Sequence, residues 1–215
     1  MNFFEYMAYS WDHVLELAIG HALVVAISLV IAVVIGVGLG VLVYRRERVA
    51  SVVLAIASTF LTIPSLALFG VFIPIFGLGY LPSVIALVIY ALLPILRNTV
   101  TGLQSVDPAV AESAQGMGMS ARERLLRIEL PLAWPVIIAG VRVSTMLLMG
   151  IAAIAAVVNG PGLGDDIFAG LARIGGANAL NLVLGGTLGI IVLALLFDTF
   201  FNVLGRLTTS RGIRD

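Results

Sequence analysis

The residues able to do chemistry are few and scattered. Arg142 and Asp198 each interrupt a long apolar stretch. A charge in such surroundings needs a partner or water. A structural ion pair is one reading. Independent snorkelling of Arg142 toward a polar boundary is the other, and direct contact with a solute ranks behind both. His13 and His21 have no neighbouring cluster of acids, which leaves no recognisable metal site. Cysteine is absent, so disulfides, iron–sulfur clusters and thiolate zinc sites are excluded. No Ser–His–Asp grouping is brought together in a water-accessible cleft. No catalytic residue and no metal ligand is therefore assigned. All 12 basic residues are arginine. Without lysine the chain cannot build the Gly-x-x-x-x-Gly-Lys-Ser/Thr phosphate loop of an ATP site. The 160–164 segment, Gly-Pro-Gly-Leu-Gly, has the wrong spacing for a dinucleotide fingerprint. It reads as a tight turn or a short re-entrant bend.

The elements carrying these residues follow from composition. Of 215 residues, 60% are hydrophobic and 11% charged, against about 25% charged in ordinary soluble domains. A water-soluble fold of this length cannot hide so much apolar surface, and disorder is excluded on the same ground. Formal net charge is zero, with 12 basic and 12 acidic residues. A nucleic-acid partner would call for a basic excess; membrane lipid is the expected surrounding. Charge-free runs cover 17–44, 49–96, 143–164 and 174–197. A membrane helix needs about 20 apolar residues, so the second run holds two spans, separated near 76–82. The expected fold is all-α and polytopic. It has about five transmembrane helices, near 21–43, 51–72, 82–103, 133–157 and 181–204. The runs are apolar on every face, unlike the alternating strands of a membrane barrel. The first 20 residues carry Glu5, Asp12 and Glu16 but no Lys or Arg. They lack the basic start of a signal peptide, and the first span is expected to be retained.

Charge placement sets the expected orientation. Arg45, Arg46 and Arg48 follow the first span. Arg97, Arg122, Arg124 and Arg127 lie at or between the third and fourth. Arg206, Arg211 and Arg214 follow the fifth. Arg173 stands alone on the other side, with Glu5, Asp12, Glu16, Asp165 and Asp166. The positive-inside rule then puts the N-terminus outside and the C-terminus in the cytoplasm.

The longest cytoplasmic segment is 104–132. Asp107-Pro108 is a helix start, with an acid N-cap and proline at the first helical position. Gly116 and Gly118 can stop that helix. The 120–123 stretch, Ser-Ala-Arg-Glu, has capping-box spacing for a second. Pro131 is expected to end or bend it. Val110, Ala114, Met117, Leu125, Leu126 and Ile128 exceed what a solvated loop needs. From local physics the segment either folds back on the membrane surface or docks a cytoplasmic partner.

Glu112, Ser113 and Ala114, then Gly118, then Ile128, Leu130 and Pro131 resemble the Glu-Ala-Ala loop of bacterial ABC importer permeases. Glycine stands six residues after the glutamate, and the Ile-x-Leu-Pro ending follows. Ser113 replaces the usual first alanine, small for small. The 62–69 and 90–99 stretches, with the glycines of 160–164 and the following Ile167 and Phe168, are similar to permeases for glycine betaine, carnitine and choline. The resemblance runs over about 22–204. It implies a type I ABC importer permease fold in one transmembrane domain, 1–215, with the coupling loop at about 104–132. It implies import of an osmoprotectant, or alternatively of another small solute such as an amino acid or betaine-like compound. The implied partners are cytoplasmic ATPase subunits, a second permease subunit (identical or related) and an extracytoplasmic binding protein. This chain would hold no cofactor, ATP and magnesium being bound by the ATPase partner. The loop would act as a lever seated on that partner. Thr62, Pro64 and Ser65 interrupt the second span and read equally as a packed kink or as a hinge or gate. Aromatic faces of Phe60, Phe69, Phe72 and Tyr90 are candidates to meet a quaternary ammonium group.

Overall fold

A computed structural model describes residues 2–208. Arg211 and Arg214, expected beyond the fifth span, lie outside the described residues. The described chain is helical throughout: α1 Phe3–Tyr9, α2 Trp11–Val43, α3 Glu47–Thr62, α4 Ser65–Phe76, α5 Tyr80–Gln104, α6 Pro108–Gly116, α7 Ala121–Arg124, α8 Leu130–Ile154, α9 Gly164–Ala172 and α10 Ala179–Thr208. Four helical stretches are long and apolar enough to cross a membrane, and the α3–α4 pair makes a fifth if counted as one bent span.

Three helices form the centre. α5 packs most extensively on α8 and α2, around Val24, Val25, Phe69, Leu87, Ile95 and Leu148. Close approach is bought with small residues, as between helices in lipid. A Cβ at Gly40 would fall 2.5 Å from Thr99 Cγ2, and one at Gly140 would fall 2.8 Å from the Pro94 carbonyl oxygen. Ser144 Oγ donates to the Ala91 carbonyl at 2.9 Å, a further α8–α5 tie. α10 buries only Ala179, Gly185, Gly186 and Phe201 among its described residues.

Two sequence expectations change. The 51–72 stretch is not one straight span: α3 and α4 meet at 93°. The residue before a proline is pushed out of the helical region, and Ile63 is extended, with φ −69° and ψ 127°. Tyr90 Oη donates to the freed Ile63 carbonyl at 2.6 Å, and Thr62 Oγ1 to the Thr59 carbonyl at 2.7 Å. The second change is at Pro131, where the helix neither ends nor turns sharply. α7 continues through a π-helical turn, Leu125–Glu129, into α8. Pro131 follows directly on that π-helical turn, whose altered hydrogen-bond register accommodates a residue without an N–H.

Candidate functional site

Local capping builds the loop that carries the Glu-Ala-Ala pattern. Asp107 accepts from the Ala109 N–H at 2.8 Å, and Pro108 opens α6. Ser120 and Glu123 form a reciprocal capping box at the start of α7. Between the two helices Gly118 has φ +88°, in the left-handed region that costs a residue with a Cβ. Glu112 and Ser113 are exposed and Ala114 is buried. Ser113 Oγ donates back to the Ala109 carbonyl at 2.7 Å, so the hydroxyl that replaces the usual methyl is satisfied within its own helix. Ile128 and Leu130 are half-buried, and Pro131 is exposed. Val110, Met117 and Leu126 expose large apolar side chains on this loop.

Sequence reasoning misses the group that holds the loop. Glu129 lies in the π-helical turn and is 5% exposed. Arg124 Nε donates to its Oε1 at 2.9 Å, Arg45 Nη2 to the same oxygen at 3.0 Å, and the Tyr44 hydroxyl to Oε2. Arg124 Nη1 also reaches Gln115 Oε1 on α6 at 2.9 Å. Gln104 Nε2, at the end of α5, donates to the Tyr44 carbonyl at 2.9 Å. The carboxylate therefore joins the loop helices to the end of α2 and the start of α8, and Gln104 adds the end of α5 through the Tyr44 carbonyl. Two cations and a phenol offset the carboxylate's removal from water. Glu129, the acid that closes a stretch rich in arginine (Arg122, Arg124, Arg127) just before an apolar run, is the available sequence signal.

Tyr44 titrates accordingly. Burial, then its hydrogen bond to Glu129 and that carboxylate's charge, push the phenol up to about 12. A raised acid is more stable neutral in the fold than in the unfolded chain. This contribution is complete below the phenol's ordinary value and is lost as pH rises through about 12. In detergent, alkaline melting curves should therefore show a decline above pH ~10 that Tyr44→Phe lacks.

Deeper in the fold, Arg142 and Asp198 meet in two parallel bonds, Nε–Oδ1 at 2.5 Å and Nη2–Oδ2 at 2.8 Å. Asn202 Nδ2 steadies the carboxylate at 3.1 Å. Reversing either charge alone should cut the yield of monodisperse protein, and reversing both should restore it. Fluorescence-detected gel filtration reads the result.

The remaining candidates separate. Thr62, Pro64 and Ser65 form the break between α3 and α4. Phe69, Phe72 and Tyr90 are packed in the core, and only Phe60 is exposed. This arrangement withdraws three of the four aromatic faces from a solute. His13 Nε2 contacts Asp166 Oδ1 at 2.9 Å, linking α2 to α9. His21 is fully buried, with Nε2 3.2 Å from the Met149 carbonyl oxygen.

Residues 32–210 match the family of binding-protein-dependent transport system inner membrane components. The osmoprotectant import permease protein OsmW of Salmonella typhimurium is 39% identical over all of both chains. The glycine betaine/carnitine/choline transport system permease protein OpuCB of Bacillus subtilis is 38% identical, covering 90% of this chain and 88% of that one. Among solved structures, an inward-facing form of the MetNI methionine ABC transporter aligns with a TM-score of 0.80 at 21% identity. That alignment covers 98% of this chain and 100% of the other.

Proposed function

The chain belongs to the binding-protein-dependent transport system inner membrane components, and from that premise we propose that it is the permease subunit through which an ATP-driven importer brings quaternary ammonium osmoprotectants into the cell. It is a multi-pass inner-membrane transport component rather than an enzyme. Family membership brings an ATPase and a solute-binding protein as its general partners. The solute class rests on full-length likeness to permeases named for osmoprotectants, glycine betaine, carnitine and choline.

The coupling reading rests on one observation: the loop helix is tied through Arg124 to Glu129, and Glu129 to the end of α2. Glu112, Ser113 and Ala114 would lie in a cleft of the ATPase. Val110 and Met117 would supply apolar contact, and Gly118 the turn. Ile128, Leu130 and Pro131 would join the second arm to α8. A partner moves a permease only through contacts that differ between its states. Closure of two ATPase subunits around ATP and magnesium would push two such loops together and reorient the spans of two facing permeases. The break at Thr62, Pro64 and Ser65 would act as a gate. The arginine-rich end, which carries the loop, faces the cytoplasm in this reading, with the N-terminus outside and the solute delivered there by the binding protein.

Uptake of radiolabelled glycine betaine, carnitine and choline provides the test. The host is a bacterial strain without other importers for these solutes, expressing the permease with its ATPase and binding protein. ATP-dependent uptake of at least one of the three supports the reading. Uptake of an amino acid and none of the three overturns the solute class. Failure of the permease to co-purify with an ATPase overturns the coupling.

A further inference from the structure

We infer that the groove between α8 and α10 around Arg142 and Asp198 lies on the translocation route and takes a zwitterionic solute, its carboxylate on Arg142 and its quaternary ammonium beside Asp198. The inference rests on the osmoprotectant reading above and adds the site within this chain where the solute would be handled.

Depth is the first support. Trp134 Nε1 donates to Thr208 Oγ1 at 2.7 Å, which aligns the start of α8 with the end of α10 at the arginine-rich end. Counting along each helix, Arg142 stands about 12 Å and Asp198 about 15 Å further in. From the ends of the expected spans 133–157 and 181–204 they lie about 14 Å and about 9 Å in, within the arginine-rich half of a hydrocarbon layer about 30 Å thick. The second support is exposure. The side chains are 43% and 26% exposed, and they open into a groove of about 560 Å³ that also touches Pro135, Met146, Phe201 and Asn202. Lipid tails cannot solvate an exposed guanidinium and carboxylate at that depth. Water, a solute or protein must face them.

The chemistry of the groove selects among these. The salt bridge offers a planar donor fork and a carboxylate side by side, neutral as a pair, and Arg206 also lines the groove and adds a positive charge that favours the solute's carboxylate. A betaine carries the same two charges in reverse. Its carboxylate can accept the fork of Arg142. Its methylated ammonium can lie against Asp198, with the half-buried side chain of Met146 alongside. The exchange replaces one ion pair by two and leaves neither Arg142 nor Asp198 uncompensated within the membrane. Because the protein's own pair must open, the solute is held loosely, as a conducting site requires. Choline has no carboxylate and forgoes the contact with Arg142.

The chain contains no cysteine, so Met146→Cys or Asn202→Cys places a single thiol in it. In membrane vesicles holding the complete transporter, a water-soluble maleimide should label either thiol, and glycine betaine should slow the labelling about fivefold or more. In parallel, Arg142→Gln should lower the ratio of glycine betaine to choline uptake about tenfold, with Arg142→Lys restoring most of it. Thiols that never react would show a face sealed against a neighbouring subunit and would overturn the site. Labelling indifferent to glycine betaine would overturn it too, as would an uptake ratio unchanged by Arg142→Gln. If Arg142→Gln fails to assemble, the thiol measurements decide alone. An unaltered transporter that imports neither solute overturns the osmoprotectant reading, and this site with it. One that imports glycine betaine without protecting the thiols overturns the site alone.

Discussion

Gly118→Val is expected to reduce solute uptake to about a tenth or less of wild type while the separate ATPase subunit keeps its activity. The reason lies in the backbone, since nothing stands within 4 Å of a Cβ at this position. With φ at +88°, a residue with a Cβ pays about 1–2 kcal/mol, and a β-branched one is an outright outlier there. The loop would relax by rotating α6 away from α7, which would shift Glu112–Ala114 from the docking position proposed above. Asparagine tolerates the left-handed region better than valine, so Gly118→Asn should keep most of the uptake. Parallel uptake and ATP-hydrolysis assays on reconstituted complexes read both effects. Equal uptake by the valine variant and wild type would remove the turn from the mechanism.

Glu129→Leu should uncouple the transporter even more directly. It leaves the guanidinium groups of Arg45 and Arg124 facing a side chain that can accept nothing. Stranding such donors costs about 1–3 kcal/mol, toward the lower end because Arg45 is partly exposed and can turn to water. The loop helix then loses its tie to the end of α2. ATP hydrolysis should continue, with fewer solute molecules imported per ATP. Arg124→Gln should show the same defect. Combining it with Glu129→Gln should add little, because both act on one contact. Strictly additive losses would show that the residues act apart.

The loop was legible in advance because caps are local. Asp107-Pro108 and Ser120 with Glu123 specify helix starts within a few residues, and both starts stand where those residues put them. The meeting of Arg142 and Asp198 follows from matched depth along two antiparallel helices, which counting residues can supply. Glu129 was hidden because its partners Tyr44 and Arg45 are distant in sequence, so nothing nearby marks them. The break at Ile63 illustrates a different limit. Pro74, Pro94 and Pro135 sit inside continuous helices, whereas Pro64 follows an extended residue whose carbonyl is taken by Tyr90. Whether a proline bends a helix or breaks it depends on whether a distant side chain rewards the break.

The uninterrupted run from Ala121 to Val158 has a mechanical corollary. Its 38 residues make a rod about 57 Å long, well beyond the thickness of the membrane. Its lower end belongs to the loop that holds Glu129. At its upper end, the Val158 carbonyl accepts from the Gly79 N–H at 2.6 Å, on the linker that leads back to the bent span. A stiff seesaw pivoting near its middle sends its tips in opposite directions. In the coupling reading proposed above, pushing the loop tip one way would draw the far tip the other, so that one side would shut as its opposite opens without a second message.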